Sequence, residues 1–126
     1  MSKVIYLAAP YSCMNEMNCL ALLFEKAGHI VNARWIRGGE MGQCKEDNAH
    51  MDYDDVAAAD VLILKALPFG TYYKGGGRQW EFGAAYALGK KCIIVGEREQ
   101  IFCHLRDIWV VDTYQQALEL VNSWNE

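Results

Sequence analysis

The sequence has no long apolar run. Its hydrophobic stretches extend over only a few residues, whereas a membrane-spanning helix needs roughly 20. A transmembrane helix is therefore excluded. The opening segment up to Pro10 carries one lysine and a short apolar stretch, less than the apolar core of a signal peptide. The expected location is cytoplasmic. An excess of basic charge is also lacking. The net charge is −4 and the Lys and Arg residues are scattered, with only Lys90 and Lys91 adjacent. That argues against a duplex or RNA binder, which would carry a basic face. The five cysteines (Cys13, Cys19, Cys44, Cys92, Cys103) are an odd set without a Cys-x-x-Cys pair. Neither a disulfide framework nor a zinc site fits that pattern, and free thiols do.

Several catalytic signatures are missing too. There is no Gly-x-x-x-x-Gly-Lys-Ser/Thr loop, no Gly-x-Gly-x-x-Gly and no Gly-x-Ser-x-Gly elbow. His29, His50 and His104 have no evident nucleophile beside them. What is present is a globular composition, 52% hydrophobic and 22% charged over 126 residues. One domain spanning 1–126 can bury its own core.

Apolar patterning alternates between strands and helices. Strands are predicted over 4–9, 30–33, 61–64, 92–95 and 109–111. Helical spacing runs over 14–27, closed by Gly28, more weakly over 47–59, and over 79–88, closed by Gly89. Thr113 and Gln116 form a Thr-x-x-Gln capping box before a last helix. Loops are expected over 37–46 and 68–77. Continuous apolar strands separated by helices specify an α/β fold, a parallel sheet of about five strands with helices on both faces. A flavodoxin-like strand order 2-1-3-4-5 follows. Ligands of such sheets sit beyond the carboxyl ends of the strands, so the loops at 9–15, 34–43 and 65–79 are the candidate site.

Within them, Glu81 stands out. It is expected in the first turn of the helix after Gly75-Gly76-Gly77, where the helix dipole keeps a carboxylate ionised. A routine first-turn glutamate would be favoured for the same reason. Asp52, Asp54, Asp55 and Asp60 form an acidic cluster, readable as a magnesium site, as acid/base chemistry or, the more usual case, as a solvated helix face. Asp60, at the amino end of the third strand, is expected to be structural. The three glycines fit close approach of backbone to a ligand.

Three segments together resemble the nucleoside 2-deoxyribosyltransferase superfamily, which includes deoxynucleoside-monophosphate N-glycosidases. They are Ile5-Tyr6-Leu7-Ala8-Ala9-Pro10-Tyr11-Ser12, the Asp52 to Asp60 pair ahead of an apolar strand, and Trp80-Glu81-Phe82-Gly83-Ala84-Ala85-Tyr86-Ala87-Leu88-Gly89-Lys90. The last is similar to the family's Glu-x-Gly-x-Ala-x-x-x-Gly-Lys stretch. The resemblance implies that Glu81 is a nucleophile, that Tyr6 holds its carboxylate and that Asp52 assists at the nucleobase. It implies substrate contacts from Ala9, Pro10, Tyr11, Ser12, Arg34, Trp35, Gly75, Gly76, Gly77 and Arg78. It further implies homo-oligomers in which a neighbouring chain completes each site. Two departures stand out. Gly75 occupies a position where family transferases often carry an aspartate, and the first loop has no arginine, a gap that Arg34 or Arg78 would fill.

The implied activity is cleavage of the N-glycosidic bond of a 2′-deoxynucleoside or its monophosphate through a glycosyl-Glu81 intermediate. The deoxyribosyl group then passes to another base or to water, with no metal or organic cofactor. A non-catalytic nucleotide-sensing module on the same fold is the alternative. Four tryptophans and seven tyrosines are a large aromatic load for this length. Trp109 and Trp124 are accordingly candidates for a subunit contact.

Overall fold

The structure, a computed structural model, describes residues 2–38, 44–71, 73 and 75–124. Parts of both expected glycine-containing loops, 39–43 and positions 72 and 74, lie outside the described residues. The strands are β1 (Val4–Ala8), β2 (Ile30–Val31), β3 (Val61–Lys65), β4 (Lys91–Val95) and β5 (Ile108–Val111). The helices are α1 (Met14–Lys26), α2 (Lys45–Ala58), α3 (Gly77–Ala87) and α4 (Tyr114–Ser123). The five strands form one sheet in the order β2-β1-β3-β4-β5. Every neighbouring pair is parallel, as the sequence pattern specified.

Apart from Lys65 at the end of β3 and Lys91 at the start of β4, the central strands are apolar, because helices cover both of their faces. Ile5, Leu7, Leu62, Ile63, Ile93 and Ile94 are fully buried, and each such side chain contributes about 1.5–3 kcal/mol. The expected β2 of four residues shortens to two. Asn32 N–H still donates to Ile5 O at 3.1 Å. The Asn32 side chain then donates to Asp55 O at 2.8 Å, and the chain turns into a 3-10 segment, Arg34–Arg37. β2 is an edge strand of the sheet, and beyond Val31 side-chain bonding takes over from strand pairing.

Helix ends follow local chemistry. Met17, Ala21 and Phe24 form the buried stripe of α1, and Gly28 turns the chain at φ 94°, a conformation that suits glycine. At α4 the capping box is complete. Gln116 N–H donates to Thr113 Oγ1 at 3.1 Å, and Thr113 N–H donates to Gln116 Oε1 at 3.2 Å. Gly96 closes β4 at φ 123°, and a Cβ there would lie 3.0 Å from Ala66 Cβ. The end of β4 and the start of the β3–α3 loop therefore fit together only with glycine at that position.

Two sequence expectations are corrected by this geometry. Helix α3 begins at Gly77, two residues before its expected start, so Glu81 opens the second turn. The dipole effect falls off within the first turn, and Glu81 draws less from it than expected. Asp55 is not part of a solvated face: it is buried beside Met51 and Val56.

Among the described residues no helix is long and apolar enough to cross a membrane. Trp109 and Trp124 pack against each other with ring centroids 4.8 Å apart at a 58° tilt, and Lys91 Nζ lies over both rings. Both tryptophans thus have partners within their own chain.

Candidate active site

The carboxyl ends of β1 and β3 open into a cleft of about 190 Å³. Ala9, Pro10 and Tyr11 after β1, Trp35 after β2, and Tyr73, Gly75, Gly77 and Arg78 from the β3–α3 connection and the start of α3 line it. Asp52 on α2 and Glu81 on α3 complete the lining. Residues widely separated in sequence converge here because parallel strands deliver every βα connection to the same edge of the sheet.

Tyr6 lies beneath this cleft. Residue alternation in β1 turns its side chain toward α3, and its hydroxyl donates to Glu81 Oε2 at 2.6 Å. The ring is fully buried. Burial first, and the Glu81 carboxylate second, push the phenol far above its ordinary pKa. Tyr6 therefore stays protonated, as a donor requires. A short O–H···O⁻ bond of this kind is charge-assisted and fixes the carboxylate's orientation.

Part of the lining is aromatic. Trp35 is only 4% exposed, and its Nε1–H donates to Leu7 O at 2.9 Å, which locks the indole. Tyr11, 55% exposed, lies with its ring centroid 6.1 Å from that of Trp35 at a 31° tilt. A fixed ring beside an exposed one suits a planar, partly polar ligand. A second recess of about 250 Å³ adjoins the first through Asp52, Gly77 and Glu81, and adds Ala49, Tyr53 and Trp80. The Tyr53 and Trp80 rings meet edge-on, 6.1 Å apart.

Two arginines bind carboxylates. Arg34 Nε and Nη2 donate to Asp55, the shortest contact being 2.8 Å, and Arg34 N–H donates to Asp55 Oδ2 at 3.1 Å. Arg78 is 6% exposed. Its Nη1 donates to Glu99 Oε1 at 2.6 Å and its Nη2 to Glu99 Oε2 at 2.9 Å. Burial alone would raise the Glu99 carboxyl. Hydrogen bonds from Arg78 and from Leu67 N–H outweigh it and hold Glu99 below its ordinary value.

Of the residues singled out in the sequence, Ala9, Pro10, Tyr11, Trp35, Asp52, Gly75, Gly77, Arg78 and Glu81 line the cleft. Tyr6 does not line it and is joined to it through Glu81. Ser12, Gly76 and Arg34 do not line it. Ser12 is exposed on the 3-10 turn Tyr11–Cys13, and Arg34 is drawn aside by Asp55. Sequence reasoning missed Tyr73, Tyr53 and Glu99. Asp55 carried a readable signal, since it stands four residues after Met51 and next to Val56. Glu99 carried none, because its partners are 21 and 32 residues away. Among the described residues no three His, Cys, Asp or Glu side chains converge as a metal site. Burial pushes the Cys92 thiol up to about 12, so Cys92 is an inert core residue.

No family model matches the chain, and no curated protein matches it in sequence. Solved structures do match. A 2-deoxyribosyltransferase from Leishmania mexicana superposes with a TM-score of 0.75 at 16% identity, over 98% of this chain and 99% of that one. A CMP N-glycosidase from Clostridium botulinum gives 0.65 at 20% identity, over 97% and 100%. A 2-deoxyribosyltransferase from Bacillus psychrosaccharolyticus gives 0.65 at 20% identity, over 91% and 90%. At these identities the likeness shows the fold, and it does so over nearly the whole length of the partners.

Proposed function

We propose that this chain is a member of the nucleoside 2-deoxyribosyltransferase superfamily. In this reading it cleaves the N-glycosidic bond of a 2′-deoxynucleoside or its monophosphate. The observation that carries the reading is the 2.6 Å bond from the buried Tyr6 hydroxyl to Glu81 Oε2, at the floor of a cleft that Asp52 also lines. The fold shared with two deoxyribosyltransferases and an N-glycosidase supports it.

The chemistry runs in two steps. Glu81 attacks C1′ as the C1′–N bond breaks, and its negative charge stabilises the oxocarbenium character of the transition state. The electron pair of the broken bond leaves with the base. Asp52 supplies a proton there, directly or through water. Another base or water then attacks C1′ and releases Glu81, so the configuration is retained. Tyr6 keeps the carboxylate aimed through both steps. The Tyr11–Trp35 wall is where the base would stack.

The reading extends to a homo-oligomer in which a neighbouring subunit completes the site, as the family resemblance implies, with a two-fold dimer as the default symmetry. Light scattering tests the assembly. A mixture of two inactive variants, one at Glu81 and one at the interface, tests the sharing, because exchanged subunits should regain part of the activity.

The deciding experiment is a product assay over deoxynucleosides and their monophosphates, with and without an acceptor base, with mass spectrometry of the quenched enzyme. A deoxyribosyl adduct on the peptide containing Glu81 is expected. Turnover with inversion, or full activity in Glu81→Gln, would overturn the covalent route. Tight binding without turnover would instead favour the nucleotide-sensing module.

A further inference from the structure

Helix α3 carries Glu81 but is weakly fixed where it begins. Three glycines precede or open it, its N-cap Gly76 has no side chain to cap with, and among the described residues nothing beyond the adjoining chain lies within 4 Å of where a Cβ would stand on Gly76 or Gly77. Local sequence therefore does little to fix the helix's position or direction. Long-range bonds do more. Arg78, in the first turn, holds Glu99 through both Nη atoms and also donates from Nη1 to Lys65 O at 3.3 Å. Glu99 in turn accepts from Leu67 N–H at 2.9 Å. The neighbouring Glu97 accepts from Phe69 N–H, and Gln100 Nε2 donates to Gln79 Oε1 at 2.8 Å. The segment 97–100 after β4 thus straps the start of the β3–α3 loop and the first turn of α3 to one another.

We propose that the Arg78–Glu99 pair is a positioning device for Glu81, and that Arg78 serves it rather than a substrate phosphate. The proposal rests on the catalytic reading of Glu81 given above. Glu81 stands three positions after Arg78, so the two lie about one helical turn apart as neighbours on the helix surface. A displacement at Arg78 is transmitted rigidly to the carboxylate that must meet the Tyr6 hydroxyl. Buried ion pairs add little net stability over apolar residues of equal volume. What this pair supplies is a fork-to-fork geometry that only arginine and a carboxylate provide.

The test is the double variant Arg78→Met/Glu99→Gln. It buries no lone charge, fills similar volume and leaves an amide oxygen for Leu67 N–H. Circular dichroism and thermal melting establish that it folds. Two readouts follow. In steady-state kinetics kcat should fall about 10- to 100-fold, the scale of an ångström-level misplacement, with KM little changed. In proton NMR the low-field hydroxyl resonance of the Tyr6–Glu81 bond, assigned by its loss in Tyr6→Phe, should shift or disappear. Arg78→Lys, which keeps the charge and loses the fork, should fall between wild type and the double variant in both readouts. It serves alone if the double variant does not fold. Wild-type kcat with an unchanged resonance would overturn the proposal. So would a raised KM at constant kcat, which would make Arg78 a ligand contact. If wild type turns over none of the substrates, the catalytic reading fails by itself, and the resonance still decides whether the strap positions Glu81.

Discussion

The two ends of the sheet use the same residue types for opposite purposes. At the amino end the connections are short, 27–29, 59–60 and 88–90, and polar side chains bind the backbone or close a turn. Asp60 Oδ2 accepts from Val4 N–H at 2.8 Å. His29 Nδ1 accepts from Lys3 N–H at 3.1 Å, and its Nε2 meets Asn122 Oδ1 at 2.7 Å. At the carboxyl end three of the connections are long, and carboxylates there bind other side chains, Asp55 and Glu99 while also accepting from a backbone N–H. Glu81 takes Tyr6, Asp55 takes Arg34 and Glu99 takes Arg78. A carboxylate answering a backbone N–H closes the fold. Carboxylates held by side chains around a cleft fix a geometry that the backbone alone does not define.

The comparison breaks most visibly at Glu81. Glu81→Gln should lower turnover by about 10³-fold or more in a protein that remains folded by circular dichroism. Wild-type turnover would place Glu81 in the same structural role as Asp60. Next comes Asp52→Asn, expected to cost about 10²-fold in kcat and less in KM, since a proton donor to the leaving base matters chiefly in the transition state. Unchanged kcat with a raised KM would make Asp52 a binding residue. Tyr6→Phe removes one charge-assisted hydrogen bond, worth about 1.5–3 kcal/mol, so kcat should fall roughly ten- to hundred-fold. A drop in stability with no loss of rate would make Tyr6 a core residue only. At the opposite end, Asp60→Ala should cost about 1 kcal/mol of stability in urea titration and leave kcat per folded molecule unaltered. A catalytic defect there would erase the division between the two ends.

The smallest effect is a pH dependence. Glu99 is held below its ordinary value of 4.5. The stability it lends is therefore complete above that value and is lost as pH falls through its lower folded value. Glu99→Gln should melt lower than wild type at neutral pH, and the gap should narrow under acid conditions. A gap of constant size from pH 7 to pH 3 would show that the carboxylate's charge is not what matters.

The division also explains what the sequence made legible. Strand order, the α1 stripe, the Gly28 turn and the Thr113–Gln116 box came from periodicity and from neighbours a few residues apart. Glu81, Asp52 and Tyr6 can be singled out because the sheet's topology names the loops and a motif resemblance names the residues. The start of α3 was placed two residues late because glycines read as loop, whereas Gly77 continues into the helix. Glu97 and Glu99 gave no signal at all. Their partners are backbone groups and an arginine at the far end of a loop, and no local pattern encodes a meeting across two strands.

The packing of Trp109 against Trp124 has an optical consequence. Two indoles with centroids 4.8 Å apart lie close enough for their electronic transitions to couple. The far-ultraviolet dichroism should then carry an exciton signal that reports the docking of α4 on β5. Trp35 and Trp80 line the two recesses at the other end of the molecule, where fluorescence would respond to what enters them. One chain thus carries separate spectroscopic reporters for its architecture and for its cleft.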